Sequence, residues 1–92
     1  MKDLKNYSVD PKIWGKYYWY VLNSIAHNYP RHPDHKTKNH VHGIFEGMKS
    51  ALPCSICRKH YAKYLHEHDI KSSLKNKEKL EKWVKKCEKA MK

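Results

Sequence analysis

Ninety-two residues bound this chain to one small domain, too short for a large cleft enzyme and helped by a cofactor or a second copy of itself. Twenty Lys and Arg against nine Asp and Glu give +11, a balance that draws nucleic acid, an anionic membrane, an acidic protein or an anionic cofactor. Three cysteines are too few, and of the wrong parity, for a secreted disulfide framework, and no apolar run reaches the length of a signal peptide or a membrane span, so the chain reads as soluble.

Residues 1–10 read as a tail and 11–92 as the domain. Asp10 followed by Pro11 is a helix opening, a side-chain acceptor at the cap and a proline at the first helical position. Trp14, Tyr18, Val21, Leu22, Ile25 and Tyr29 then recur at steps of three and four, and Pro30 ends this first helix. The stretch "PRHPDH" is a turn, after which Val41, Ile44, Phe45, Met48 and Leu52 trace a second helix that stops at Pro53. A third helix from Cys54 carries Cys57, Tyr61, Tyr64 and Leu65, and "HDIKSSLKN" reads as a polar loop. Asn76 caps a fourth helix with Leu80, Trp83, Val84, Cys87 and Met91 on one side. The many lysines of this last third fit its solvated face. No stretch alternates long enough to argue for a strand, so the expected fold is all-α, a bundle of four or five helices.

The chemistry concentrates in "LPCSICRKHYAKYL". Cysteines at i and i+3 share a helix face, and a helix that begins at Cys54 points its free N–H groups and positive dipole end at that sulfur, which favours the thiolate. Cys54 is thus the attacking sulfur of a redox pair and Cys57 the deeper one, with Arg58 and Lys59 adding positive charge. Two readings compete: zinc on Cys54, Cys57 and His60, which wants a fourth ligand, and a pair of inert buried thiols. A thioredoxin-like unit is excluded for want of a strand, and the three glycines, Gly15, Gly43 and Gly47, cannot make a dinucleotide-binding turn. The i, i+2 histidine pairs His40/His42 and His66/His68 face apart on a helix and read as surface. Cys87 reads as a packed thiol.

The residues resemble the Erv/ALR family of FAD-linked sulfhydryl oxidases, in size its short single-domain members from large DNA viruses. "PKIWGKYYWYVLNSIAHNYP" is similar to the family pattern W-G-x-x-x-W-x-x-L-H-x-x-A-x-x-Y-P through Trp14, Gly15, Trp19, Leu22, Ala26, Tyr29 and Pro30. "LPCSICRKHYAKYL" is similar to P-C-x-x-C-R-x-H-F through Pro53, Cys54, Cys57, Arg58 and His60, with Tyr61 in the aromatic place. Trp83 falls where the fourth helix of the family carries a tryptophan.

The resemblance implies a helical homodimer with FAD at the mouth of the helices, Cys54 and Cys57 catalytic, and dithiols of proteins or small molecules as substrates. Oxygen takes the electrons to give hydrogen peroxide, and no nucleic acid or metal is required. It further implies cofactor contacts from Gly15, Lys16, Trp19, Asn23, Tyr29, Cys57, Arg58, His60 and Trp83, with Lys16 or Arg58 at the pyrophosphate; Trp14, an aromatic at helical spacing, reads as core. The location implied is the cytoplasm of an infected cell or the virion.

Asn23 stands in place of a flavin-contacting histidine, and Glu88, Lys89 and Lys92 stand in place of a histidine and two asparagines, which implies weaker FAD binding. The rival function is a non-enzymatic basic module, stabilised by zinc or binding nucleic acid.

Overall fold

The computed structural model describes residues 7–92, so most of the expected tail lies outside the described residues. Four α-helices and one short 3₁₀ segment follow in order: α1 Pro11–His27, α2 His35–Ala51, α3 Ser55–Glu67, the 3₁₀ turn Lys71–Lys75, and α4 Lys77–Met91. Each α-helix opens on a side-chain cap that satisfies an otherwise free backbone N–H. Asp10 accepts from the Lys12 N–H at 2.9 Å, Asp34 from Thr37 at 2.8 Å and Asn76 from Lys79 at 2.9 Å. The Asp34 cap starts α2 at His35, six residues before the first apolar residue of its stripe, Val41.

α1 packs chiefly on α4 and α2 on α3, while the 3₁₀ turn lies against α4 and α2. The enclosed core is drawn from every element, with Leu22 and Ala26 of α1, Phe45 of α2, Tyr61 and Leu65 of α3, and Leu80, Val84 and Cys87 of α4. Three buried side chains tie elements together through backbone carbonyls. Tyr29 donates its hydroxyl to Leu74 O at 2.7 Å, Tyr61 donates to Phe45 O at 2.7 Å, and Trp83 donates Nε1–H to His68 O at 2.9 Å. Each bond satisfies a polar tip while its ring fills the interior.

Two expectations fail. The stretch expected as a polar loop contains Ile70 and Leu74, which are almost fully buried, 1% and 3% exposed. It forms a 3₁₀ turn because two apolar residues four positions apart both reach the core through one tight coil. Val21 and Ile44, expected on buried stripes, are instead exposed. Trp19, Leu22 and Ala26 define the inner face of α1, and at 100° per residue Val21 lies well off it.

Candidate redox site

Pro53 ends α2 by forcing Leu52 into extended backbone, φ −56° and ψ 138°, and Leu52 buries its side chain to anchor the corner. Cys54, itself extended, then becomes the cap of α3, and its Sγ accepts the Cys57 N–H at 3.2 Å. The Arg58 guanidinium reaches back to donate to Leu52 O, so the corner and the first turn of the helix are tied together.

This geometry separates the two thiols. Cys54 is held below the ordinary cysteine range, first by hydrogen bonding from the Cys57 thiol, then by the Cys57 and Ile56 N–H groups and the Arg58 charge, with slight burial opposing them. Cys57 is pushed up to about 11, first by burial and then by the hydrogen bond and charge of Cys54. The outer sulfur therefore favours the thiolate and the inner one the thiol.

Cys57 opens onto a cleft of about 180 Å³ between the start of α1, the Leu52 corner and the end of α4. Trp14, Tyr18, Trp19, Leu52 and Met91 give it an apolar, aromatic wall, and Lys16 and Lys92 supply its positive charge. Gly15 also lines it, and a Cβ built there would meet no atom within 4 Å, so packing does not require this glycine. Of the residues proposed to hold cofactor, Gly15, Lys16, Trp19 and Cys57 are brought together here, and Arg58 supports the corner from behind.

The others lie apart. Tyr29 is buried and committed to the Leu74 carbonyl. Asn23 donates its amide to Trp19 O at 2.8 Å and to Glu88 Oε1 at 2.9 Å, while Glu88 Oε2 receives the Lys92 ammonium at 2.7 Å. The residues that depart from the family pattern on two different helices thus bond to one another. The Lys92 and Asn23 contacts also hold the Glu88 carboxyl below its usual range. His60 lines a neighbouring depression with Tyr64 and Met91, and Trp83 lines a third with Tyr64, Lys82 and Lys86. Because Met91 also borders the cleft and Tyr64 borders both depressions, the three hollows follow one another along α3 and α4.

Trp14, expected in the core, is half-buried on the cleft wall with Nε1–H bonded to Val9 O at 2.9 Å. Tyr18, whose hydroxyl is buried without a hydrogen-bond partner, Leu52, Met91 and Lys92 also line the cleft, although the sequence did not single them out as cofactor contacts. Among the described residues no three His, Cys, Asp or Glu side chains gather as a metal site, so His60 does not join the cysteines with a further ligand.

The Erv1 / Alr family model matches residues 16–90. The chain belongs to this family. It is 32% identical over 77 residues to a probable FAD-linked sulfhydryl oxidase of Acanthamoeba polyphaga mimivirus, a match covering 83% of this chain and 54% of that protein. It is 31% identical over 65 residues to a probable FAD-linked sulfhydryl oxidase of fowlpox virus, covering 71% and 64%. Over 79 residues it is 28% identical to the mitochondrial FAD-linked sulfhydryl oxidase of Saccharomyces cerevisiae, covering 86% and 40%. The chain spans about half the length of the curated relatives it matches. No solved structure matches it. Among the described residues no helix is long and apolar enough to cross a membrane.

Proposed function

We propose that this chain is an FAD-dependent thiol oxidase that makes disulfides in dithiol substrates through Cys54 and Cys57 and passes the electrons to oxygen. The observation that carries the reading is the division of the pair: Cys54 caps α3 at the surface with a favoured thiolate, and Cys57 faces an aromatic cleft. The cleft residues fit FAD. Trp14, Trp19, Leu52 and Met91 suit a planar, largely apolar ring, the open space beside Gly15 lets it approach the helix, and Lys16, which makes no ion pair among the described residues, suits its phosphates. Further along, the hollow bordered by Tyr64, Lys82 and Lys86 offers a cationic surface for its nucleotide end, while Trp83 packs edge-on against Phe45 and Tyr64 beneath it.

The residues of the chain would act in sequence. With the pair in its disulfide form, a substrate thiolate attacks Sγ of Cys54, the more exposed sulfur; the Cys54–Cys57 bond breaks, and Cys57 leaves with the bonding electrons and takes up a proton. The second substrate thiolate attacks the substrate sulfur of the mixed disulfide and expels Cys54, whose lowered pKa makes it a good leaving group. The substrate now holds one disulfide, and the pair holds two electrons. When bound, FAD would supply the two-electron acceptor for the Cys54–Cys57 dithiol, with dioxygen as the final acceptor and hydrogen peroxide as the product. Leu52, Trp14 and Trp19 give the Cys57 side of the exchange an apolar wall.

The chain acts as a homodimer in this reading. Tyr17, Tyr20 and Val21 form an exposed stripe on α1, with Tyr20 75% and Val21 53% exposed, and Ile44 is exposed on α2. The viral origin of two of the relatives supports a place in the cytoplasm of an infected cell or in the virion. The test is direct. The purified chain should bind FAD with a shift in flavin absorbance, consume oxygen with dithiothreitol and release one peroxide per disulfide formed, while Cys57→Ser should bind FAD and turn over nothing. Turnover that survives Cys57→Ser would overturn the assignment.

A further inference from the structure

The outer face of α3, which leads away from Cys54, is built for a partner. Ile56, Lys59, His60 and Lys63 are all exposed, and their spacings of three, four and seven place Ile56, Lys59 and Lys63 on one stripe. Ile56, 63% exposed between the two cysteines, is a large apolar side chain in water with no packing role. Lys59 and Lys63 make no ion pair among the described residues, whereas Lys49 is paired with Glu46 and Lys92 with Glu88.

Carboxylates avoid the cysteine end of this face. Residues 47–66 carry Lys49, Arg58, Lys59 and Lys63 and no Asp or Glu, and α1 carries Lys12 and Lys16 and none. The one carboxylate of α3, Glu67, lies at the far end of the helix, about 18 Å along the axis from its first residue, where it follows Lys63 by one turn and borders the same depression. The carboxylates nearer the site are engaged elsewhere: Asp10 caps α1, Glu46 holds Lys49 and Glu88 holds Lys92 and Asn23. An incoming thiol therefore meets a locally positive surface with one apolar contact point, a stronger bias than the net charge of the chain alone would set.

We propose that the substrates taken by Cys54 are dithiols on acidic protein segments, Asp- or Glu-flanked, with an apolar residue near the reactive cysteine to cover Ile56. This rests on the oxidase reading and names the substrate class of that same site. Lys59 and Lys63 raise the encounter rate by attracting the acidic flank, and the positive field also favours the substrate thiolate that attacks Cys54. The exchange itself is balanced within the two disulfides: one substrate disulfide forms as the Cys54–Cys57 disulfide is reduced, and the flavin with dioxygen returns the pair to its starting state.

The experiment measures disulfide exchange in a single turnover, with the full chain in its Cys54–Cys57 disulfide form and no flavin present. The probes are three peptides with the same Cys-x-x-Cys, flanked by glutamates, serines or lysines, and dithiothreitol. At low ionic strength the glutamate peptide should react about tenfold or more faster than the lysine peptide, and the gap should close to about twofold in 0.5 M salt, where charges are screened within a few ångströms. Lys59→Glu with Lys63→Glu should invert the order of the peptides, with a change in the dithiothreitol rate much smaller than the change in the glutamate-to-lysine ratio. Equal rates for the three peptides at low salt, or an order that the double variant does not alter, would overturn the proposal. Because this assay needs no cofactor, a failure of oxygen-dependent turnover would sink the oxidase reading while leaving the peptide order to be judged separately.

Discussion

Ile70→Ala separates the two views of the segment between α3 and α4. If that segment were a polar loop, the change would sit at the surface and move stability by no more than about 0.5 kcal/mol. Ile70 is instead 1% exposed, beside Leu74, whose carbonyl receives the Tyr29 hydroxyl, and close after His68, whose carbonyl receives the Trp83 indole. Truncating a buried isoleucine costs about 2–5 kcal/mol through lost transfer energy and the cavity left behind. A domain of 92 residues has a total of roughly 5–14 kcal/mol to lose, at 0.05–0.15 kcal/mol per residue. The variant should therefore melt at least about 10 °C lower, and its urea midpoint should fall with an unchanged slope. Ile70→Val, keeping most of the volume, should lose about 0.5–1.5 kcal/mol. A loss under about 1 kcal/mol for the alanine variant would show that the 3₁₀ turn is not part of the core.

Four further outcomes are expected. In the reduced protein, iodoacetamide followed by peptide mapping should label Cys54 at lower pH than free cysteine and leave Cys57, at about 11, and Cys87, at about 12, behind; labelling of Cys57 first would contradict the capped geometry. Gly15→Ala should stabilise the fold by about 0.5–1 kcal/mol, since the added methyl meets nothing in the chain, and weaken FAD binding by crowding the cleft; tighter binding on titration would remove Gly15 from the site. Burial raises the Cys87 thiol from 9.0 to about 12, so its contribution to stability is complete below pH 9 and fades as pH rises toward 12, where the unfolded thiol has already lost its proton; Cys87→Ala should flatten that slope in alkaline denaturation curves. Glu88→His with Lys89→Asn frees Asn23 and restores two hydrogen-bonding groups worth ~0.5–1.5 kcal/mol each, so FAD should bind about fivefold or more tightly, and equal affinity would mean that the end of α4 does not reach the cofactor.

Local signals carried most of the architecture. Asp10–Pro11, Leu52–Pro53–Cys54 and Asn76 mark boundaries because capping and proline sterics act within a few residues, and the placement of Cys54 at the head of α3 follows from them. The burial of Ile70 and Leu74 is not legible in the sequence, because a five-residue 3₁₀ turn is too short for a period to emerge from its polar neighbours. The tryptophans were sorted differently by the fold than by the sequence: Trp14 stands at the cleft, and Trp83 packs edge-on against Phe45 and Tyr64. Helical period gives the face of a residue on its own helix, but which neighbour covers that face depends on how α1 and α4 cross. The Asn23–Glu88 bond is the clearest case, since its partners lie 65 residues apart and neither position signals the other.

The capped sulfur also bears on driving force. A helix start that favours the Cys54 thiolate stabilises the dithiol form of the pair relative to its disulfide, because the capping interaction with the Cys57 N–H is strongest with a charged sulfur. Stabilising the reduced form raises the reduction potential, by about 30 mV for each 1.4 kcal/mol. On the proposed reading the first turn of α3 makes the pair a stronger oxidant toward its substrates, and leaves correspondingly less of the total drop from substrate to oxygen for the step at Cys57.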